Sequence, residues 1–262
     1  MVKIAILGCG EIGEQILRNL RESDKDSEIW ITRRNSKKGH EIAEKYSAAY
    51  NESNVKAIEN ADVIFLCLRP ADMYDVLNEI KPHVEGSQTI ISTAASISIE
   101  YIKRFFNGPV TRYIPSPLIT ENGGVAIVSG DGIPGYLKPF MSKWSSKMHV
   151  VDENDMELFT ILTSSGSAFI STALVNVLDR LPVSDKRLPK ELILDVIDAT
   201  AESLRKKSID ECRDVMKFCS TPDGITAEGI RVLSDEKTKN MLADVVLSSL
   251  AKSKNMKKEY EK

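Results

Sequence analysis

Residues 3–13 constrain the fold more than any other stretch, because Gly8-Cys9-Gly10-Glu11-Ile12-Gly13 joins a short apolar run, Lys3 to Gly8, to an amphipathic one from Ile12 to Arg21. Between a strand and a helix, glycines at these spacings have a mechanical reading. Gly8 permits a tight turn, Gly10 lets the backbone approach a pyrophosphate, and Gly13 allows the helix to pack closely on the strand. The helix start, with Glu11 and Ile12 in its first turn, then presents amide donors to an anion. Without the flanking strand and helix, the same pattern marks only a turn.

That unit heads a series. Short strand-like runs at Glu28 to Thr32, Val63 to Leu68, Thr89 to Ser92, Val110 to Ile114, Val125 to Val128 and Met148 to Val151 alternate with helical patterns. The helical patterns are Lys37 to Tyr46, Asp72 to Ile80, Ile99 to Phe106 and Tyr136 to Ser146. This rhythm predicts a mostly buried parallel sheet wound with helices on both faces. After about Asp152 the strand-like runs stop, and helical patterns occupy Met156 to Leu178, Lys190 to Lys206, Ile209 to Phe218, Thr226 to Leu233 and Lys237 to Lys252. The expected fold is therefore α/β: a Rossmann-type doubly wound sheet over residues 1–152, followed by an all-α helical domain over residues 153–262. The stretch Lys252 to Lys262, lysine-rich but mixed with Glu259 and Glu261, reads as a solvated tail.

Choice between the two nicotinamide dinucleotides falls at the end of the second strand, about 20 residues past the last glycine, where an acid would hold the ribose hydroxyls of NAD. No acid stands there. The stretch is Thr32-Arg33-Arg34-Asn35-Ser36-Lys37-Lys38. Its hydroxyls and cations suit a 2′-phosphate, and cations at a helix start are disfavoured unless an anion sits nearby. NADPH is expected in preference to NADH. Leu68-Arg69-Pro70 makes a proline-terminated turn at the same sheet edge, from which Arg69 can reach a cofactor. Ser92-Thr93-Ala94-Ala95-Ser96 ends another strand with small residues. Ala94 either leaves room for a nicotinamide ring or belongs to a plain strand-to-helix turn with Ser98 as cap.

Charge narrows the partners. The 35 basic and 38 acidic side chains give a net charge of -3, which favours a small-molecule substrate over nucleic acid or an anionic membrane. The longest candidate for membrane insertion, Val63 to Leu68, is far short of the roughly 20 residues a spanning helix needs. The run Ile4 to Leu7 is too short for a signal peptide, so a cytoplasmic location is expected. The 4 cysteines and 3 histidines show no ligand spacing, and no metal is expected.

Several blocks together make the chain resemble pyrroline-5-carboxylate reductase over nearly its full length. They are the glycine turn, Ala61 to Pro70, Ser92 to Ala95, Arg112 to Pro115, Ser164-Ser165-Gly166-Ser167-Ala168-Phe169, and Ser220-Thr221-Pro222-Asp223-Gly224-Ile225-Thr226. The last is similar to the family's Ser-Pro-Gly-Gly-x-Thr signature. The resemblance implies NADPH-dependent reduction of the cyclic imine 1-pyrroline-5-carboxylate to proline. It implies Thr226 as the donor near the imine nitrogen, and Gly224, Ile225 and Thr226 as amides for the substrate carboxylate. It also implies a homo-oligomer, dimeric through the helical domain and swapped between subunits. The chain departs from the family at Arg69, Ser167, Phe169, Asp223 and Ile114-Pro115-Ser116-Pro117-Leu118. Ser116 and Asp223 adjoin the expected substrate. A paralogous reductase of another imine or 2-oxo acid, and a non-catalytic dinucleotide-binding regulator, remain alternatives. A β-hydroxyacid dehydrogenase is disfavoured, because Ser164 to Asp179 contains no lysine to protonate an alkoxide.

Overall fold

The structure is a computed structural model that describes residues 2–117 and 124–262; Leu118, the end of the block beginning at Ile114, lies outside the described residues. Eight strands form one sheet: β1 (Lys3–Leu7), β2 (Glu28–Ile31), β3 (Ala49–Tyr50), β4 (Val63–Leu66), β5 (Thr89–Ser92), β6 (Val110–Pro115), β7 (Val125–Gly130) and β8 (Lys147–Val150). Their order is β3-β2-β1-β4-β5-β6-β7-β8. The β6–β7 pairing is antiparallel and the other pairings are parallel. The chain winds outward from β1 on one side and restarts at β4 on the other. That reversal leaves a crevice beyond the C-terminal ends of β1 and β4, held in register by Leu7 opposite Leu66.

The helices of this half are α1 (Glu11–Ser23), α2 (Ser36–Lys45), α3 (Asn54–Ile58), α4 (Pro70–Ile80), α5 (Ile99–Ile102) and α6 (Lys138–Trp144). Strand residues point alternately to the two faces, and the core divides accordingly. Ile4, Ile6, Ile29, Ile31 and Phe65 pack with Ile16, Leu17 and Leu20 of α1 and Met141 and Trp144 of α6. Ala5, Leu7, Ile64, Leu66 and Ile90 pack with Met73, Leu77 and Ile80 of α4 and with Tyr101. Each fully buried aliphatic side chain contributes about 1.5–3 kcal/mol. Both faces being covered explains why these strands read as continuous apolar runs.

The second half contains α7 (Met156–Thr160), α8 (Gly166–Arg180), α9 (Arg187–Leu204), α10 (Ile209–Phe218), α11 (Ile225–Leu233) and α12 (Glu236–Tyr260). Two compact units result: the chain through Ser167 together with Leu250–Lys262, and Ala168–Ser249. The continuous helix expected from Met156 to Leu178 is interrupted by a π-helical turn, Ile161–Ser165. Within that turn the Ser164 hydroxyl donates to the Pro115 carbonyl at 3.1 Å, a partner at the end of β6 that periodicity does not reveal. The helical stretch Glu153–Arg180 is long and apolar enough to cross a membrane by length and composition alone. A search for unbroken apolar runs misses it, because serines and threonines punctuate the segment.

The C-terminal stretch corrects an expectation. Lys252 to Tyr260 is helical rather than a solvated tail, and Ser253 donates to the Glu157 carboxylate at 2.7 Å. Tyr260 packs against the second core cluster, and the Glu261 carboxylate accepts the Ser98 amide. Lys252, Lys254, Lys258 and Lys262 are exposed while the serine, tyrosine and glutamate make the contacts, so composition alone concealed the anchorage. The two-residue β3 and five-residue α3 were also absent from the expected series. Neither is long enough to show a period.

Candidate functional site

The glycine turn is built as its residues demand. Gly8 has φ +80, a conformation that side chains disfavour, and a Cβ there would lie 2.6 Å from Leu68 Cδ2 and 2.8 Å from the Cys67 carbonyl oxygen. Gly13 sits where a Cβ would meet the Gly8 carbonyl oxygen at 3.2 Å and Ile6 Cγ2 at 3.3 Å, so helix α1 rests against β1. Gly10 differs: a Cβ there would meet only the Gly8 carbonyl oxygen, at 3.9 Å. Gly10 is the N-cap of α1 and no side chain caps that helix. The first-turn amides, including those of Glu11 and Ile12, have no intrahelical acceptor, so the turn is a cradle for an anion.

Neighbouring strands hold this turn. The Cys9 amide donates to the Thr32 carbonyl at 2.7 Å, and the Gly8 amide to the Thr32 hydroxyl at 3.3 Å. The Thr32 hydroxyl in turn donates to the Asn54 side-chain oxygen at 2.7 Å. Arg33 folds back so that its guanidinium donates to the Cys9 carbonyl at 2.6 Å, fixing a cation at the rim of the turn. Tyr50 fixes the Arg33 backbone by donating to its carbonyl at 3.0 Å. Arg34 instead pairs with Asp72 at 3.1 Å, with its own side chain 80% exposed. Exposed pairs of this kind contribute about 0–1 kcal/mol, so Arg34 can exchange Asp72 for another anion at little cost. Asn35 caps α2 through the Lys38 amide, and α2 carries no acid in its first turn.

At the neighbouring strand end, Leu68 covers Gly8, Arg69 is the N-cap of α4 in an extended conformation, and Pro70 occupies the first turn of that helix. Ala94 is buried and its amide donates to the Ser92 hydroxyl at 3.3 Å. Ser98 caps α5 by accepting the Tyr101 amide at 3.1 Å. Burial pushes the Cys9 and Cys67 thiols up to about 12, so both stay protonated small apolar groups beside the turn. Ser116 is buried next to β7, donating its amide to Val125 at 2.8 Å, with its hydroxyl 3.4 Å from that of Ser167.

In the second unit, Gly224 is the N-cap of α11, and Ile225 and Thr226 begin the helix. The Gly224 amide already donates to the Thr221 carbonyl at 3.0 Å. First-turn geometry leaves the Ile225 and Thr226 amides without intrahelical acceptors. Asp223 has φ 56, the left-handed region where glycine is at ease and aspartate is tolerated. That accounts for a glycine in the motif this segment resembles. Ile225 is 96% exposed and Thr226 is exposed too.

Sequence reasoning had singled out the turn, Thr32, Arg33, Arg34, Leu68, Arg69, Pro70 and Ala94, and the structure brings these together at the crevice between β1 and β4 and along the adjoining strand ends. It missed Asn54 and Tyr50, which orient Thr32 and Arg33 but lie on elements too short to predict. It also assigned no role to Arg112, which is fully buried and pairs with Glu153 and Glu157, each at 3.0 Å.

Residues 3–96 match the family model described as NADP oxidoreductase coenzyme F420-dependent, and residues 153–256 match pyrroline-5-carboxylate reductase dimerisation. The second match points to oligomerisation. The chain is 26% identical over 249 residues to a pyrroline-5-carboxylate reductase of Corynebacterium melassecola, covering 90% of this chain and 91% of that one. It is 24% identical over 272 residues to pyrroline-5-carboxylate reductase 2 of Bacillus subtilis strain 168, covering 99% and 97%. The fold superposes on the NADP-bound Plasmodium falciparum pyrroline carboxylate reductase with a TM-score of 0.81, at 21% identity and 98% coverage of both chains. With a family model matched in each half and relatives aligned along its length, the chain is similar throughout to the pyrroline-5-carboxylate reductases.

Proposed function

We propose that this protein reduces the cyclic imine 1-pyrroline-5-carboxylate to proline with NADPH, as a dimer joined through its helical domain. Residues 1–152 act as the nucleotide-binding domain and residues 153–262 as the substrate and dimerisation domain. The observation that carries the reading is the cradle at Gly8, Gly10 and Gly13, open at Gly10 and rimmed by Arg33. A bound reduced nicotinamide supplies the hydride for the imine carbon. The protein's part is to bind, orient and protonate. The first-turn amides of α1 take the pyrophosphate. Thr32, Arg33 and Arg34 surround the 2′-phosphate by charge-assisted hydrogen bonds. The Ile225 and Thr226 amides hold the substrate carboxylate, and the Thr226 hydroxyl donates to the imine nitrogen as it gains electron density. Ser116 lines the substrate side.

Dimerisation is favoured by the helical unit's surface. Phe218 is 91% exposed, and Ile170, Leu188, Leu192, Val196 and Ile209 are exposed as well. Large apolar side chains exposed in such number mark an interface.

The test is NADPH oxidation by purified protein with and without pyrroline-5-carboxylate. Thr226→Ala is expected to lower kcat about tenfold, the worth of a hydrogen bond to developing charge. No stimulation of the parent protein by the imine would overturn the substrate assignment. Asp223 favours one second reading, a reductase of an imine without a carboxylate at this place, since a carboxylate beside the amides of α11 repels a second one. A panel of imines separates the two. Arg33→Ala is expected to raise the KM for NADPH about tenfold while leaving that for NADH nearly unchanged. An equal change for both nucleotides would remove Arg33 from the 2′-phosphate site.

A further inference from the structure

The loop from Thr93 to Ser98 carries Ala94, and it is held from an unexpected quarter. Ser96 is buried with φ 61, a left-handed conformation that a serine does not adopt without support. Its hydroxyl lies 2.9 Å from that of Ser253, near the C-terminal end of α12. The Ser253 hydroxyl donates to Glu157 Oε2 at 2.7 Å. A serine has one hydroxyl proton, so Ser253 must accept from Ser96, which orders the chain as Ser96 to Ser253 to Glu157. The other Glu157 oxygen accepts from the buried Arg112 guanidinium at 3.0 Å, which fixes the carboxylate as acceptor at the end of the relay. Two further carboxylates clamp the residues that follow. Glu261 accepts the Ser98 amide, and Glu153 accepts the Ile99 amide at 3.1 Å.

We infer that Ser253, oriented by Glu157 and Arg112, is a positioning residue that holds the Thr93–Ser98 loop in the conformation receiving the nicotinamide half of the cofactor. The inference rests on the proposed dinucleotide site. The loop lies at the end of β5, whereas the pyrophosphate cradle follows β1, with β4 between them. Loosening the loop therefore acts on one half of the dinucleotide and spares the other. Without the Ser253 hydroxyl, the loop must be ordered at the moment of binding, and that cost falls on nicotinamide affinity.

The experiment measures binding of NADP+ and of 2′,5′-ADP, which lacks the nicotinamide, by calorimetry on full-length parent, Ser253→Ala and Ser253→Thr. Ser253→Ala is expected to weaken NADP+ about three- to tenfold, the range of one neutral hydrogen bond, and to leave 2′,5′-ADP unchanged. Ser253→Thr keeps the hydroxyl and is expected to restore NADP+ affinity. Equal weakening of both ligands, or of neither, overturns the positioning role while leaving the dinucleotide site standing. A parent protein that binds neither ligand overturns the dinucleotide site itself, and the positioning role with it.

Discussion

Gly10→Val is expected to weaken binding of NADPH and NADP+ by about 100-fold or more, while the urea midpoint stays close to that of the parent protein. A misplacement of about 1 Å is enough for an effect of that size. The contrast with Gly8 supplies the reasoning. At Gly8 the backbone needs φ +80 and a Cβ collides with Leu68, so any replacement damages the fold before it reports on a ligand. At Gly10 a Cβ would meet only the Gly8 carbonyl oxygen, at 3.9 Å, so a side chain added there starts in open space. Calorimetry on the folded variant reads the result. Unaltered affinity would show that no pyrophosphate approaches this turn.

Arg112→Met is expected to cost about 3–5 kcal/mol of unfolding free energy, the penalty for leaving a buried carboxylate without its cation. The guanidinium is wholly buried, and the Glu157 side chain is 8% exposed, so water cannot compensate. Arg112 Nε and Glu153 Oε2 have no hydrogen-bond partner among the described residues, so the cluster has little slack. Removing the buried Glu157 charge as well, as Arg112→Met with Glu157→Leu, leaves only the partly exposed Glu153 without its cation and is expected to recover much of the loss. Urea denaturation of the two single variants and the double variant measures the coupling. If Arg112→Met alone unfolds at the parent's midpoint, the ion pair adds nothing to the fold.

These two positions also mark how far the sequence could be read. The glycine turn was legible because its function is local: three positions, one strand and one helix carry the whole geometry. Thr32 and Arg33 were legible by their distance from that turn. Arg112 was visible as part of a family block, yet its partners Glu153 and Glu157 lie more than 40 residues on, and charges brought together by tertiary packing leave no periodic trace. Ser253 was hidden for the same reason, inside a lysine-rich stretch whose composition suggests solvent. The π-helical turn at Ile161–Ser165 and the two-residue β3 were illegible for a different reason, being too short to repeat a hydrophobic period.

The return of residues 250–262 to the first unit bears on how the protein is made. N-terminal domains commonly fold while the ribosome is still at work. Here the half translated first must wait for α12 to be synthesised before Ser96, Ser98 and Tyr101 meet their last neighbours. Until then part of that core lies uncovered, so the first unit matures only once residues 250–262 have been made.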